Sequence, residues 1–184
     1  MITPLMPDKD TPAGYPRDYE RRFDLGDGRI VFVRPVVPGD APLLATEVAA
    51  TDSETLYQRF FNPSVRLDGE RIKMLTEVDY RNRFALAAFD STGRGLAIAR
   101  YEPSGPHCAE VAVVVREPWR KAGIATVLLT MLEEAAAERG IVELEAYYLA
   151  GNRAVERVLV KRGFGRPTIE TGVARVTKAV APAG

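Results

Sequence analysis

The chain has 184 residues, with 25 basic and 25 acidic side chains and no net charge at pH 7. That length holds one domain with a substantial core, and the even charge balance disfavours the strong phosphate attraction on which nucleic-acid binding rests. No apolar run is long enough to cross a bilayer, and a single cysteine with no basic-then-apolar leader fits a cytoplasmic protein.

Residues 1–28 read as a flexible tail, interrupted by Pro4, Pro7, Pro12 and Pro16 and dominated by charge over 17–22. Asp27-Gly28 is a turn signal, and a single domain is expected over 29–184. Alternation over 29–37 predicts a first strand that Pro35 places near its edge or end. Asp40 is expected to cap a short helix with Pro42 in its first turn. Thr51 and Glu54 have capping-box spacing and open a helix through about Phe60. Its bulky residues, Leu56, Tyr57, Arg59, Phe60 and Phe61, are read as packing over a sheet. Asp68 caps a further helix carrying Ile72, Leu75 and Val78. Strands at 84–89 and 96–101 follow, joined through Asp90-Ser91-Thr92-Gly93, and Ser104-Gly105-Pro106 makes the next turn.

The stretch 110–139 organises the chain. Residues 110–115 run from Glu110 into small and branched apolar residues without polar alternation, which predicts a strand buried on both faces. Pro118 ends it, and Trp119-Arg120-Lys121-Ala122-Gly123 is a basic turn. A helix follows, with Ile124, Val127, Leu128, Met131, Leu132 and Ala135 at three- and four-residue steps, and Gly140 stops it. The first turn of such a helix leaves backbone N–H groups without partners, and its dipole adds partial positive charge there. Gly123 has no side chain to keep an anion away, and Arg120 and Lys121 add full charges. The spacing is neither that of a P-loop nor that of a dinucleotide fingerprint. On residues alone, a pyrophosphate site and an ordinary solvated turn are equally good readings. A strand at 142–148, a helix at 152–162 and a strand at 170–178 complete an α+β pattern: a mixed, mostly antiparallel sheet flanked by helices, not a doubly wound one.

Arg120-Lys121-Ala122-Gly123-Ile124-Ala125 resembles the acyl-CoA pyrophosphate loop of the GNAT superfamily of N-acetyltransferases, which joins the fourth strand to the following helix. Asn152-Arg153-Ala154-Val155 and, further on, Lys161-Arg162-Gly163-Phe164 resemble the superfamily's asparagine-led helix ending in Gly-Phe. Residues 53–61, 75–80 and 109–112 look like the bacterial protein lysine acetyltransferases that act on acyl-CoA synthetases. Some of those carry a cyclic-nucleotide-binding domain. Twenty-eight residues are too few for one, so no such control is expected here.

The resemblance implies acetyl-CoA as cosubstrate, no metal, and direct transfer in a ternary complex. The acceptor it implies is a protein lysine, possibly on an acyl-CoA synthetase; a small-molecule amine acetyltransferase and a non-catalytic acyl-CoA sensor are the alternatives. The oligomeric state stays open between monomer and homodimer. Glu110 stands where the family places a general base, and a lysine amine with a pKa near ~10.4 needs one. Val113 and Val115 would offer backbone groups to the pantetheine arm where the fourth and fifth strands splay. Arg120, Lys121, Ala122, Gly123, Ile124, Ala125 and Thr126 would hold the pyrophosphate, and Asn152 the pantetheine amides. His107 and Cys108 compete for the chemistry but read as a surface residue and a small core residue. The family's tyrosine acid falls at Leu159. Tyr147 and Tyr148, on the neighbouring strand, read as core packing.

Overall fold

Eight strands form one sheet in the spatial order β1-β2-β3-β4-β5-β6-β8-β7. They are β1 (Arg21–Asp24), β2 (Ile30–Pro35), β3 (Phe84–Phe89), β4 (Gly95–Gly105), β5 (Cys108–Val115), β6 (Glu143–Leu149), β7 (Thr168–Glu170) and β8 (Val173–Ala179). The helices are α1 (Ala41–Ala49), α2 (Ser53–Phe60), α3 (Gly69–Thr76), α4 (Ile124–Glu138) and α5 (Arg153–Lys161). The structure, a computed structural model, describes residues 11–61 and 68–181, and only the backbone of Arg59 and Phe60.

Every neighbouring pair of strands is antiparallel except β5 with β6. Tight turns join β3 to β4 and β4 to β5. A parallel partner for β5 requires a long return crossing, and α4 supplies it. The sheet is covered on both faces. Phe84, Leu86 and Ala88 join the main core with Leu128, Leu132 and Leu144. Their alternates Ala85, Ala87 and Phe89 pack with Val36, Leu43 and Ile98 on the other side. All six residues of β3 are buried, as expected of a central strand between two layers.

The expected tail over 1–28 is corrected for its described part. Tyr19 is 2% exposed, its ring packs edge-on to Phe84 at 5.0 Å between centroids, and its hydroxyl donates to Glu138 at 2.8 Å. From there the chain enters β1, which pairs with β2 from Arg21↔Val33 to Asp24↔Ile30. One buried aromatic anchors this stretch although charges surround it, and the guanidinium groups of Arg21 and Arg139 lie against its ring, 5.2 and 5.5 Å from the centroid. The folded unit therefore begins before residue 29, and residues 1–10 lie outside the described residues.

Three local expectations also change. The α2 cap is Asp52, whose carboxylate accepts from the Thr55 N–H at 2.8 Å, not Thr51. Asp40 is the N-cap of α1, with Pro42 in the first turn as expected, but its carboxylate makes no cap bond to that helix and accepts from the Val37 N–H at 2.9 Å. It also makes a two-pronged ion pair with Arg34, at 2.8 and 2.6 Å, beneath α1. The last predicted strand is a hairpin, β7 and β8, turned by Thr171 and Gly172 at φ 48° and 83°.

Candidate active site

The parallel ladder between β5 and β6 has three pairs: Cys108↔Glu143, Ala109↔Leu144 and Glu110↔Glu145. Both strands continue past that point, so they part from each other. The backbone on either side shows which way β5 faces. The His107 carbonyl accepts from the Val142 N–H at 2.8 Å, while the Arg116 N–H donates to the Leu96 carbonyl at 2.9 Å. Backbone groups alternate from side to side along a strand, so odd residues of β5 face β6 and even residues face β4. Val113 and Val115 therefore turn their N–H and C=O groups into the gap. The Val115 carbonyl accepts there from Arg120 Nε at 3.2 Å.

The divergence also corrects the burial expected for 110–115. Ala109 and Val111 are buried in the main core, but residues 112–115 are only half-buried. An unbroken apolar run signals two covered faces only while the strand keeps both neighbours, and β5 loses one halfway along.

Side chains of even residues point to the α1–α3 face. Register places Glu102 of β4, Glu110 of β5 and Glu145 of β6 abreast on it. Glu102 is held by Arg83 Nε at 2.7 Å and by Arg100. Burial pushes its carboxyl upward, but the Arg83 hydrogen bond and the Arg100 charge outweigh that and hold it below the usual carboxylate range. Glu145 is 7% exposed. It accepts from Arg175 Nε at 2.7 Å and from the Tyr147 hydroxyl at 3.1 Å. Burial again acts upward, and hydrogen bonds from Ser104, Arg175 and Tyr147 bring the carboxyl below its ordinary value. Glu110, half-buried, thus lies between two anions that each already engage a guanidinium.

Beyond β5 the chain makes a 3₁₀ turn at Glu117–Trp119, then the basic loop. Lys121 and Gly123 both take positive φ, 64° and 88°. Gly123 is the N-cap of α4, and no side chain caps that helix. The first N–H with an intrahelical acceptor is that of Val127, which donates to the Gly123 carbonyl at 3.1 Å. The N–H groups before it form an uncapped, partially positive helix end. A Cβ at Gly123 would meet nothing within 4 Å, so the space in front of the loop is open, although its φ strains any other residue. Arg120 and Lys121 are exposed beside it. Ile124 is 2% exposed and its side chain belongs to the core, as Ala122 largely does, so both offer only backbone to a ligand. This donor set fits a pyrophosphate.

Asn152 stands across the gap, after β6. Its Oδ1 caps α5 by accepting from the Val155 N–H at 3.2 Å, which leaves the amide Nδ2 pointing elsewhere, to Gln58 at 3.0 Å. His107 is exposed in the β4–β5 turn at φ 59°, with Nδ1 3.2 Å from the Gly140 carbonyl. Cys108 is half-buried and shares the Glu110 face. Leu159 and Phe164 are core residues. The two tyrosines of β6 separate: Tyr148 is in the core, whereas Tyr147 sits on the face of Glu110 and Glu145, so its expected core role is corrected. Among the described residues no group of His, Cys, Asp and Glu side chains is placed to hold a metal ion, and no helix is long and apolar enough to cross a membrane.

Beside β5 on this face is a cavity of about 340 Å³. Leu43 and Leu56 roof it, Phe89, Ile98 and Val114 floor it, and Arg120 lies at its rim. The sequence reading missed Glu102, Glu145 and the α2 contacts. Each depends on strand register or on helix docking, which residue spacing along the chain does not contain.

A mixed sheet whose two parallel strands part in front of an uncapped helix defines an acyl-CoA-type transferase architecture. Residues 30–165 match the family described as "Acetyltransferase (GNAT) domain", and the chain belongs to that family. It is 31% identical over 140 residues to Acetyltransferase Pat of Mycolicibacterium smegmatis, an alignment that takes in 74% of this chain and 41% of that protein. The chain therefore matches well under half the length of this relative. Its structure superposes on the GNAT domain of S. lividans PAT with a TM-score of 0.83 and 31% identity, covering 90% of this chain and 99% of that one. It also superposes on the cAMP-binding acyltransferase from Mycobacterium smegmatis, with a TM-score of 0.64 and 26% identity over 89% of this chain and 48% of that one.

Proposed function

We propose that this protein transfers the acetyl group of acetyl-CoA to a lysine amine of an acceptor protein, by direct attack in a ternary complex. The observation that carries the reading is the parting of β5 and β6 after Glu110↔Glu145, which opens Val113 and Val115 to a gap leading toward the α4 amino end. When bound, acetyl-CoA supplies an acyl group activated as a thioester. Arg120, Lys121 and the backbone N–H groups of residues 122–126 bind its pyrophosphate. The Val113 and Val115 backbone pairs with the pantetheine amides as a missing strand would, and the Asn152 amide adds a further bond. Glu110 takes the proton from the acceptor ammonium, directly or through water, so that a neutral amine attacks. The likeness to Acetyltransferase Pat and to the GNAT domain of S. lividans PAT supports acetyl transfer, while the protein acceptor and the cytoplasmic site of action are carried by the resemblance of residues 53–61, 75–80 and 109–112 to bacterial protein lysine acetyltransferases.

The test is thermal. Acetyl-CoA should raise the melting temperature by mass action on the native state, and pantetheine, lacking the pyrophosphate, should do so far less. Gly123→Glu puts bulk and negative charge in the open space before the loop and should abolish the acetyl-CoA shift. Equal shifts with both compounds, or an unchanged shift in the variant, would remove the pyrophosphate site. Release of free CoA with a lysine-bearing acceptor then tests the transfer.

A further inference from the structure

Thr55 and Gln58 lie one turn apart on the same side of α2. Thr55 Oγ1 accepts from Arg120 Nη2 at 2.9 Å, and Gln58 Oε1 accepts from Asn152 Nδ2 at 3.0 Å. Arg120 follows the end of β5 and Asn152 follows the end of β6. These are the two strands that part after Glu110↔Glu145. One turn of α2 thus bridges both banks of the gap, and it does so on the side chains best suited to hold an acyl-CoA there.

The bridge is built from polar contacts. Asp52 accepts from the Thr55 hydroxyl at 2.6 Å and Glu54 accepts from Gln58 Nε2 at 2.7 Å, which orients both acceptors outward from α2. None of the side chains of residues 53–58 is buried, in contrast to the seven buried residues of α4. Few buried apolar contacts are the mark of a segment that opens locally, and residues 53–58 have that character. The same helix forms part of the wall of the neighbouring cavity, which Thr55, Leu56 and the N-cap Asp52 line together with Leu43 and Glu47 of α1.

We infer that α2 is a latch across the acyl-CoA groove: acyl-CoA binding takes Arg120 and Asn152 from Thr55 and Gln58, releases α2, and thereby opens the adjoining cavity to the acceptor. This rests on the acyl-CoA reading of Arg120 and Asn152 given above. The free-energy logic is that of competition. A ligand that needs two side chains already engaged by the protein binds only the fraction in which they are released, so removing the internal partners raises its apparent affinity.

Two measurements with CoA as the probe decide it. In calorimetry, the Thr55→Val/Gln58→Ala double variant should bind CoA tighter than the parent, on the order of 10-fold for two ordinary hydrogen bonds. In hydrogen exchange on the unaltered protein, CoA should speed exchange of the α2 amides while slowing that of the 120–126 loop. Unchanged or weaker CoA binding by the folded double variant overturns the latch, as does slower exchange of α2 with CoA. A parent protein that binds no CoA at all overturns the acyl-CoA reading itself, a result separate from either of these.

Discussion

Glu110 and Glu145 face each other as the last pair of the β5–β6 ladder, and beyond them the two strands separate. The pair marks the place where sheet becomes cleft. Glu145 is held by the Arg175 guanidinium and the Tyr147 hydroxyl, so the β6 side of this pair is an ion pair with a fixed geometry. In the proposed reaction Glu110 is the carboxylate that takes the proton.

Glu110→Gln keeps shape and hydrogen-bonding capacity but accepts no proton. Turnover should fall by about 10²–10⁴, with CoA affinity unchanged because the cofactor contacts lie on the loop and the strand backbone. The deficit should shrink as pH approaches the lysine value near ~10.4, where the amine deprotonates unaided. His107→Ala and Cys108→Ala should remain near parental activity. A collapsed His107→Ala beside a healthy Glu110→Gln in the pH–rate profiles would reassign the base.

Arg34 and Asp40 form a nearly enclosed ion pair, with 6% and 13% of their side chains exposed, and the Arg34 guanidinium lies 4.6 Å from the Phe89 ring centroid. Asp40→Ala leaves that charge buried without its carboxylate and should cost about 3–5 kcal/mol in urea unfolding. A loss under about 1 kcal/mol, the range of exposed pairs, would show that water reaches the site.

Glu102 gives a pH dependence with a definite sign. Its folded-state pKa lies below the ordinary value, so its stabilising contribution is present above the unfolded carboxylate pKa of about 4.3 and is lost as pH falls through the lower folded value. Glu102→Gln should therefore lower the melting temperature by a constant amount above about pH 5, and the difference from the parent should close below about pH 4. A difference that widens in acid would mean that Glu102 is protonated more readily in the folded state than in the unfolded one.

Much of this was legible along the chain. Local signals are carried by neighbouring residues: the apolar spacing of Leu128, Met131 and Leu132, Gly123 before α4, Asp68 before α3. The strand–turn–helix and its basic loop could be read because each part needs only its own few residues to form. The tertiary structure alone decided that Tyr19 draws the amino-terminal stretch into the core and that the Asp40 carboxylate pairs with Arg34. It alone set Glu102 and Glu145 beside Glu110. Those outcomes depend on which distant segments become neighbours. Strand register is a relation between segments, and the parting of β5 from β6 is set by where α4 and the β6–β8 pairing carry the chain, which residues 110–115 do not encode by themselves.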